Sequence, residues 1–168
     1  RDPSGAQDMA GLIYPGVSRL DFDASFEGGY FPVQVKSCRS ADVAAWLEEH
    51  LSLLPVTQRS PGYSPLGIQR LDPEWARRLG QAGKDCFAAI QAMDLAALGE
   101  TLNETMRCWE ALLPETVRHP EIPVDLMAIL EHYQARYPGA MYSGCGGGYL
   151  VVASAEPVPG GIKLVVRV

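Results

Sequence analysis

Ser143-Gly144-Cys145-Gly146-Gly147-Gly148-Tyr149 runs directly into Leu150-Val151-Val152-Ala153, and the rest of the chain is read around this stretch. Four of the five positions from Gly144 to Gly148 are glycine. Glycine takes positive φ without steric cost and lets a ligand approach the backbone, so the run exceeds what a simple turn requires. It can aim successive backbone N–H groups into one concavity, an anion-binding nest whose usual guest is phosphate. The run that follows predicts a strand, and the amphipathic segment before it predicts a helix. A Walker loop or a dinucleotide fingerprint would open a helix, and the Walker loop would close on Lys-Ser or Lys-Thr; this run does neither, which speaks against both. A close-packed connection between a helix and a strand is the other reading of the same residues.

Outward from the glycines, Glu156-Pro157-Val158-Pro159-Gly160-Gly161 turns the chain into a last strand in which Ile162, Leu164, Val166 and Val168 alternate with Lys163 and Arg167. Upstream, Leu126, Ile129, Leu130, Tyr133 and Tyr137 recur at helical spacing and predict a third long helix, preceded by a loop marked by His119-Pro120 and Ile122-Pro123. Asp72-Pro73-Glu74 is the clearest helix start, with a capping acid, proline at the first helical position and a second acid near the positive end of the dipole. Trp75, Leu79, Ala82, Cys86 and Ile90 follow on one face. Asp94 caps the next helix, with Leu95, Leu98, Leu102, Met106, Trp109 and Leu113 in its stripe and Pro114 at its end.

Towards the N-terminus, Gln58 to Leu71 holds two prolines, two glycines and Tyr63, the composition of a surface loop and of a substrate lid. Ser40 caps a predicted helix to about Leu51, and Leu53-Leu54-Pro55-Val56 predicts a short strand. Alternation at Leu20 and Phe22, then at Phe31, Val33 and Val35 around Gly28-Gly29, predicts a β-hairpin, with Pro32 placing its second strand at an edge or bulge. Arg1 to Pro15 reads as a loop of small residues. Strands, helices, then strands, with hairpins at both ends, predict an α+β fold: an antiparallel sheet with helices packed on one face.

The 168 residues suit a single domain, 1–168, and 47% hydrophobic with 20% charged residues is ordinary globular composition. A net charge of −6 with no basic block speaks against nucleic acid and anionic membranes as partners, and no run is long enough to span a bilayer. The four cysteines, Cys38, Cys86, Cys108 and Cys145, are widely spaced and the three histidines lie far apart, so neither a disulfide framework nor a structural metal site is expected. They read as reduced thiols in a cytoplasmic protein. The chain opens at Arg1 with neither an initiator Met nor a leader segment, which reads as part of a longer protein.

Ser143 to Gly148, preceded by Gly139-Ala140 and followed by a strand, resembles the third, glycine-rich motif of the GHMP kinases, named for galactokinase, homoserine kinase, mevalonate kinase and phosphomevalonate kinase. Gly5-Ala6-Gln7-Asp8-Met9-Ala10-Gly11 with Tyr14-Pro15-Gly16 resembles the segment of the sugar-kinase members that carries their catalytic aspartate, nearest to fucokinase-like and heptose-phosphate-kinase-like branches. The similarity in order and spacing covers nearly the whole chain.

The resemblance implies the C-terminal domain of that family, a ferredoxin-like sandwich preceded by a short catalytic segment at about 1–16. It implies an ATP- and Mg2+-dependent transferase that moves the γ-phosphate to a sugar or sugar-phosphate hydroxyl, with Asp8 as the catalytic carboxylate. Ser143, Gly144, Cys145, Gly146, Gly147 and Gly148 would form the ATP-phosphate loop, and Gln7 and Tyr63 would contact substrate. The family's serine-rich phosphate loop is absent from these residues, and Tyr142 stands where lysine is common. The resemblance therefore also implies that the N-terminal kinase domain of the parent chain is the partner, that it holds most of the ATP and Mg2+, and that residues 1–168 alone fold without turning over. A non-catalytic ligand-binding or regulatory module of the same fold is the alternative.

Overall fold

The computed structural model describes residues 6–23, 25, 31–58, 63, 70 and 72–168, with side chains from Met9 onward. Gly28 and Gly29, and most of the loop between Gln58 and Leu71, lie outside the described residues. The first described element corrects the expected loop: Ala6–Ile13 is a helix, α1, built from good helix formers with only Gly11 against it.

The expected hairpin forms from β1 (Val17–Asp21) and β2 (Gln34–Cys38), antiparallel and paired from Val17 with Cys38 to Asp21 with Gln34. Pro32 falls before the second strand rather than within it, and Phe22 and Phe31 stand exposed beyond the ladder. This ribbon is a two-stranded sheet of its own.

Helix α2 (Ala41–His50) starts where Ser40 Oγ accepts the Val43 N–H and runs without a break into β3 (Leu51–Pro55). The two long helices begin at the expected caps. Asp72 accepts from Glu74 and Trp75 N–H groups at 2.9 and 3.0 Å to open α3 (Pro73–Ala92), and Asp94 accepts from Ala97 at 3.0 Å to open α4 (Leu95–Leu112). A 3-10 turn at Pro114–Thr116 follows. Asp125 then caps α5 (Leu126–Gln134), which is shorter than the apolar spacing suggests. Proline at 138 disfavours helix at the residue before it, so Tyr137 falls in the turn, stacked on Tyr133.

The segment expected to lead straight from a helix into the glycines instead contains a strand, β4 (Gly139–Tyr142), and β5 (Tyr149–Ala153) follows the glycines. The glycine run is thus a turn between two antiparallel strands, paired from Gly139 with Ala153 to Tyr142 with Leu150. β4 is an edge strand whose outward polar groups are taken by helix side chains. Asn103 accepts the Ala140 N–H at 3.1 Å and donates to Pro138 O, Gln134 donates to Ala140 O at 3.0 Å, and Met106 Sδ lies 3.4 Å from the Tyr142 N–H.

The final strand is also shorter than the alternation suggests. β6 covers Ile162–Lys163 and pairs with β3 rather than with its sequence neighbour β5, giving a four-stranded antiparallel sheet in the order β4-β5-β3-β6. Beyond Lys163 the chain passes the start of β3 and has no strand to pair with; the Val166 N–H goes to the Glu48 carboxylate of α2 at 2.7 Å.

The architecture is therefore α+β, with antiparallel sheets and helices packed against them. Its core forms two clusters. Leu54, Ala140, Tyr142, Leu150 and Val152 from the sheet meet Met106, Leu126, Met127 and Leu130, and they lie directly beneath the glycine turn. Val43 and Leu47 of α2 meet Ala89, Ile90, Leu98 and Leu102 of the long helical hairpin together with Ala153.

Candidate functional site at the glycine turn

The turn hangs from two fixed strand ends. The Ser143 N–H donates to Tyr149 O at 2.9 Å and closes it, and the Val56 N–H just past β3 donates to Gly148 O at 3.0 Å. Between these anchors Gly144 is extended, Cys145 to Gly147 make a 3-10 turn, and Gly148 is right-handed with φ −46° and ψ −55°. Gly146 and Gly147 have φ of +75° and +79°. A left-handed residue followed by a right-handed one, as at Gly147 and Gly148, is the alternation in which successive N–H groups turn towards one point, the geometry of an anion nest.

Packing within the chain accounts for two of the four glycines. A Cβ on Gly146 would lie 2.7 Å from Cε1 of Tyr63, and a Cβ on Gly147 would collide with the Leu126 side chain. Tyr63 is held there by its hydroxyl, which donates to Glu115 O at 3.2 Å, and by an edge-to-face contact with His119 at 5.1 Å between centroids. Gly148 differs: nothing lies within 4 Å of a Cβ built on it. It opens onto a groove of about 460 Å3 lined by Pro55, Val56, Thr57, Gln58, Gly148 and Tyr149.

Tyr142, at the position where the resembled family often carries lysine, has no access to a ligand. It is 0% exposed, and its hydroxyl donates to Leu126 O at 2.6 Å, tying the start of the turn to the first residue of α5. Burial, with the nearby Asp125 carboxylate second, pushes its phenol well above the ordinary tyrosine value. Ser143 is exposed at the rim and Cys145 is half-buried. Of the other cysteines, Cys108 is fully buried and Cys86 half-buried, and desolvation raises both thiols above the ordinary cysteine value, which disfavours the reactive thiolate.

The structure brings Tyr63 and the glycine turn together. The side chains of Gln7 and Asp8 lie outside the described residues, and their backbone is in α1. The described bonds linking that region to the sheet run to the C-terminal segment: Arg167 donates to Leu12 O at 2.9 Å, and Gly16 N–H to Arg167 O. That segment runs past Lys163 towards the start of β3, whereas the turn sits at the Pro55 end of the same strand.

Residues that sequence reasoning missed are the turn's supports. Leu126 walls it, Val56 anchors it and Tyr149 lines its groove; the exposed aromatic side chain directly after the last glycine was the one available signal. Among the described residues no three His, Cys, Asp or Glu side chains gather into a metal-binding group, and no helix is long and apolar enough to cross a membrane. No protein-family model matches the chain, and no curated protein is similar to it.

Proposed function

We propose that the chain is the C-terminal part of an ATP-dependent carbohydrate kinase of the GHMP kind, with the glycine turn forming one wall of the ATP-phosphate site. The observation that carries this reading is the backbone of Gly147 and Gly148, left-handed then right-handed, beside the groove onto which Gly148 opens. Phosphoryl transfer asks a protein chiefly to hold phosphate charge and to position the hydroxyl, and preorganised backbone N–H groups do the first at no charge cost to an acidic chain. In this reading the acceptor hydroxyl gives its proton to the Asp8 carboxylate, its oxygen attacks the γ-phosphorus, and the bond from that phosphorus to the departing ADP oxygen breaks. Asp8 enters from the sequence match alone.

The described residues offer magnesium no cluster of carboxylates, so no step is assigned to it here. The second reading, a non-catalytic binding module, is favoured by the packing that already accounts for Gly146 and Gly147. Coupled ADP-release assays on the full-length parent with a panel of sugars and sugar phosphates separate the two. Sugar-dependent ADP release supports the kinase; nucleotide binding without turnover supports the module; and no calorimetric binding of MgATP removes the glycine turn from nucleotide chemistry.

A further inference from the structure

Three sides of the glycine turn are closed by the protein itself. The Tyr63 ring covers Gly146, Leu126 covers Gly147, and buried Tyr142 lies beneath. Gly148, by contrast, opens into the groove along Pro55 to Gln58, whose volume of about 460 Å3 falls within the size of pockets that hold small ligands. None of the groove's six described lining residues is Lys or Arg. Among these residues a phosphate meets backbone N–H groups and the Thr57 and Gln58 side chains but no cation, so the rest of the ligand has a share of the binding to supply.

Tyr149 is built to supply it. The residue is 47% exposed, while its main chain is fixed by pairing with Pro55 and by the bond from Ser143, so little conformational freedom is lost when a ring stacks on it. Pro55 and Val56 add apolar surface, and Thr57 and Gln58 add hydroxyl and amide groups able to meet a polar ring edge.

We propose, resting on the phosphate reading above, that a phosphate ester enters this turn at Gly148 and that the ring beside its phosphate lies on Tyr149. A nucleotide and a sugar phosphate share that chemistry, and the probes below tell them apart.

The experiment measures binding of ADP, glucose 1-phosphate and inorganic tripolyphosphate to the full-length parent chain, unaltered and carrying Tyr149→Thr, Tyr149→Phe or Gly148→Ala. Tyr149→Thr is expected to weaken the ring-bearing probe about tenfold and leave tripolyphosphate unchanged, as stacking contributions on aromatic platforms suggest. Tyr149→Phe should keep the affinity, and Gly148→Ala should weaken all probes that bind. The ring-bearing probe that responds identifies the source. An intermolecular NOE from the Tyr149 ring to that probe tests the same contact without any substitution. Absence of the NOE, or an equal loss of tripolyphosphate binding in Tyr149→Thr, overturns the proposal while leaving the phosphate reading intact. No binding of any probe by the unaltered chain overturns the phosphate reading itself.

Discussion

Gly99 of α4 and Gly139 of β4 meet backbone to backbone: a Cβ on Gly99 would strike the Pro138 carbonyl, and one on Gly139 would strike Gly99 O. The close crossing brings α4 near enough for Asn103 to donate to Pro138 O just before β4 and to accept the Ala140 N–H within it. Gly99→Ala has nowhere to place its methyl except by moving helix and strand apart. Overpacking against backbone predicts a loss of at least about 2 kcal/mol, a large share of a typical domain's stability, measured by urea unfolding. Gly83→Ala, in α3 with nothing within 4 Å of its Cβ, should instead gain roughly 0.5–1 kcal/mol.

Tyr142→Phe removes the hydroxyl that donates to Leu126 O in the core and should cost about 1–3 kcal/mol. It should also change the alkaline limb of stability. A tyrosine in the unfolded chain titrates near pH 10, whereas burial raises the folded value, so above pH 10 the unfolded chain sheds a proton that the folded one keeps. The contribution is present in full below pH 10 and declines above it by about 1.4 kcal/mol per pH unit. Urea midpoints between pH 8 and pH 11 should fall more steeply for the unaltered chain than for Tyr142→Phe; equal slopes would place the phenol in water.

The capped helices were legible because their signals are local. Asp72 with Pro73, and Asp94, each satisfy N–H groups two or three residues away. β4 was not legible: Gly139, Ala140 and Met141 have little strand preference, and the partners that hold the strand, Asn103 and Met106, come from a helix far back in sequence. The same holds for β6, whose length is set by where β3 begins and not by its own alternation. At the site, the glycine count marked the turn, but the spacing could not say that Tyr63 and Leu126 occupy two of its faces.

Gly147→Val should unfold the turn whether or not a ligand binds there. It places a β-branched residue at φ +79° and drives it into Leu126, a residue of the main core cluster. A drop in melting temperature of several degrees without ligand is expected. Gly148→Ala, right-handed and facing open space, should melt at or slightly above the unaltered chain. If the two variants melt alike, the internal packing of the turn does not distinguish the two positions.

Asp8 has two readings that one substitution separates. It stands in the first turn of α1, where a carboxylate stabilises the helix through the dipole by about 0.3–1 kcal/mol, and such a role is unrelated to turnover. As the carboxylate that takes a hydroxyl proton, it would instead contribute about 10²-fold or more to kcat. Asp8→Asn in the full-length parent keeps the size and polarity of the side chain and removes the charge needed for both roles. The kinase reading predicts a kcat lowered by about 10²-fold or more, with nucleotide affinity unchanged because in that reading the glycine turn, and not Asp8, holds the phosphates. Near-normal kcat with a slightly lower melting temperature would leave Asp8 as a helix residue only. Lowered nucleotide affinity would mean that α1 reaches the turn in the full-length protein, and would move Asp8 from the hydroxyl to the phosphate side of the reaction.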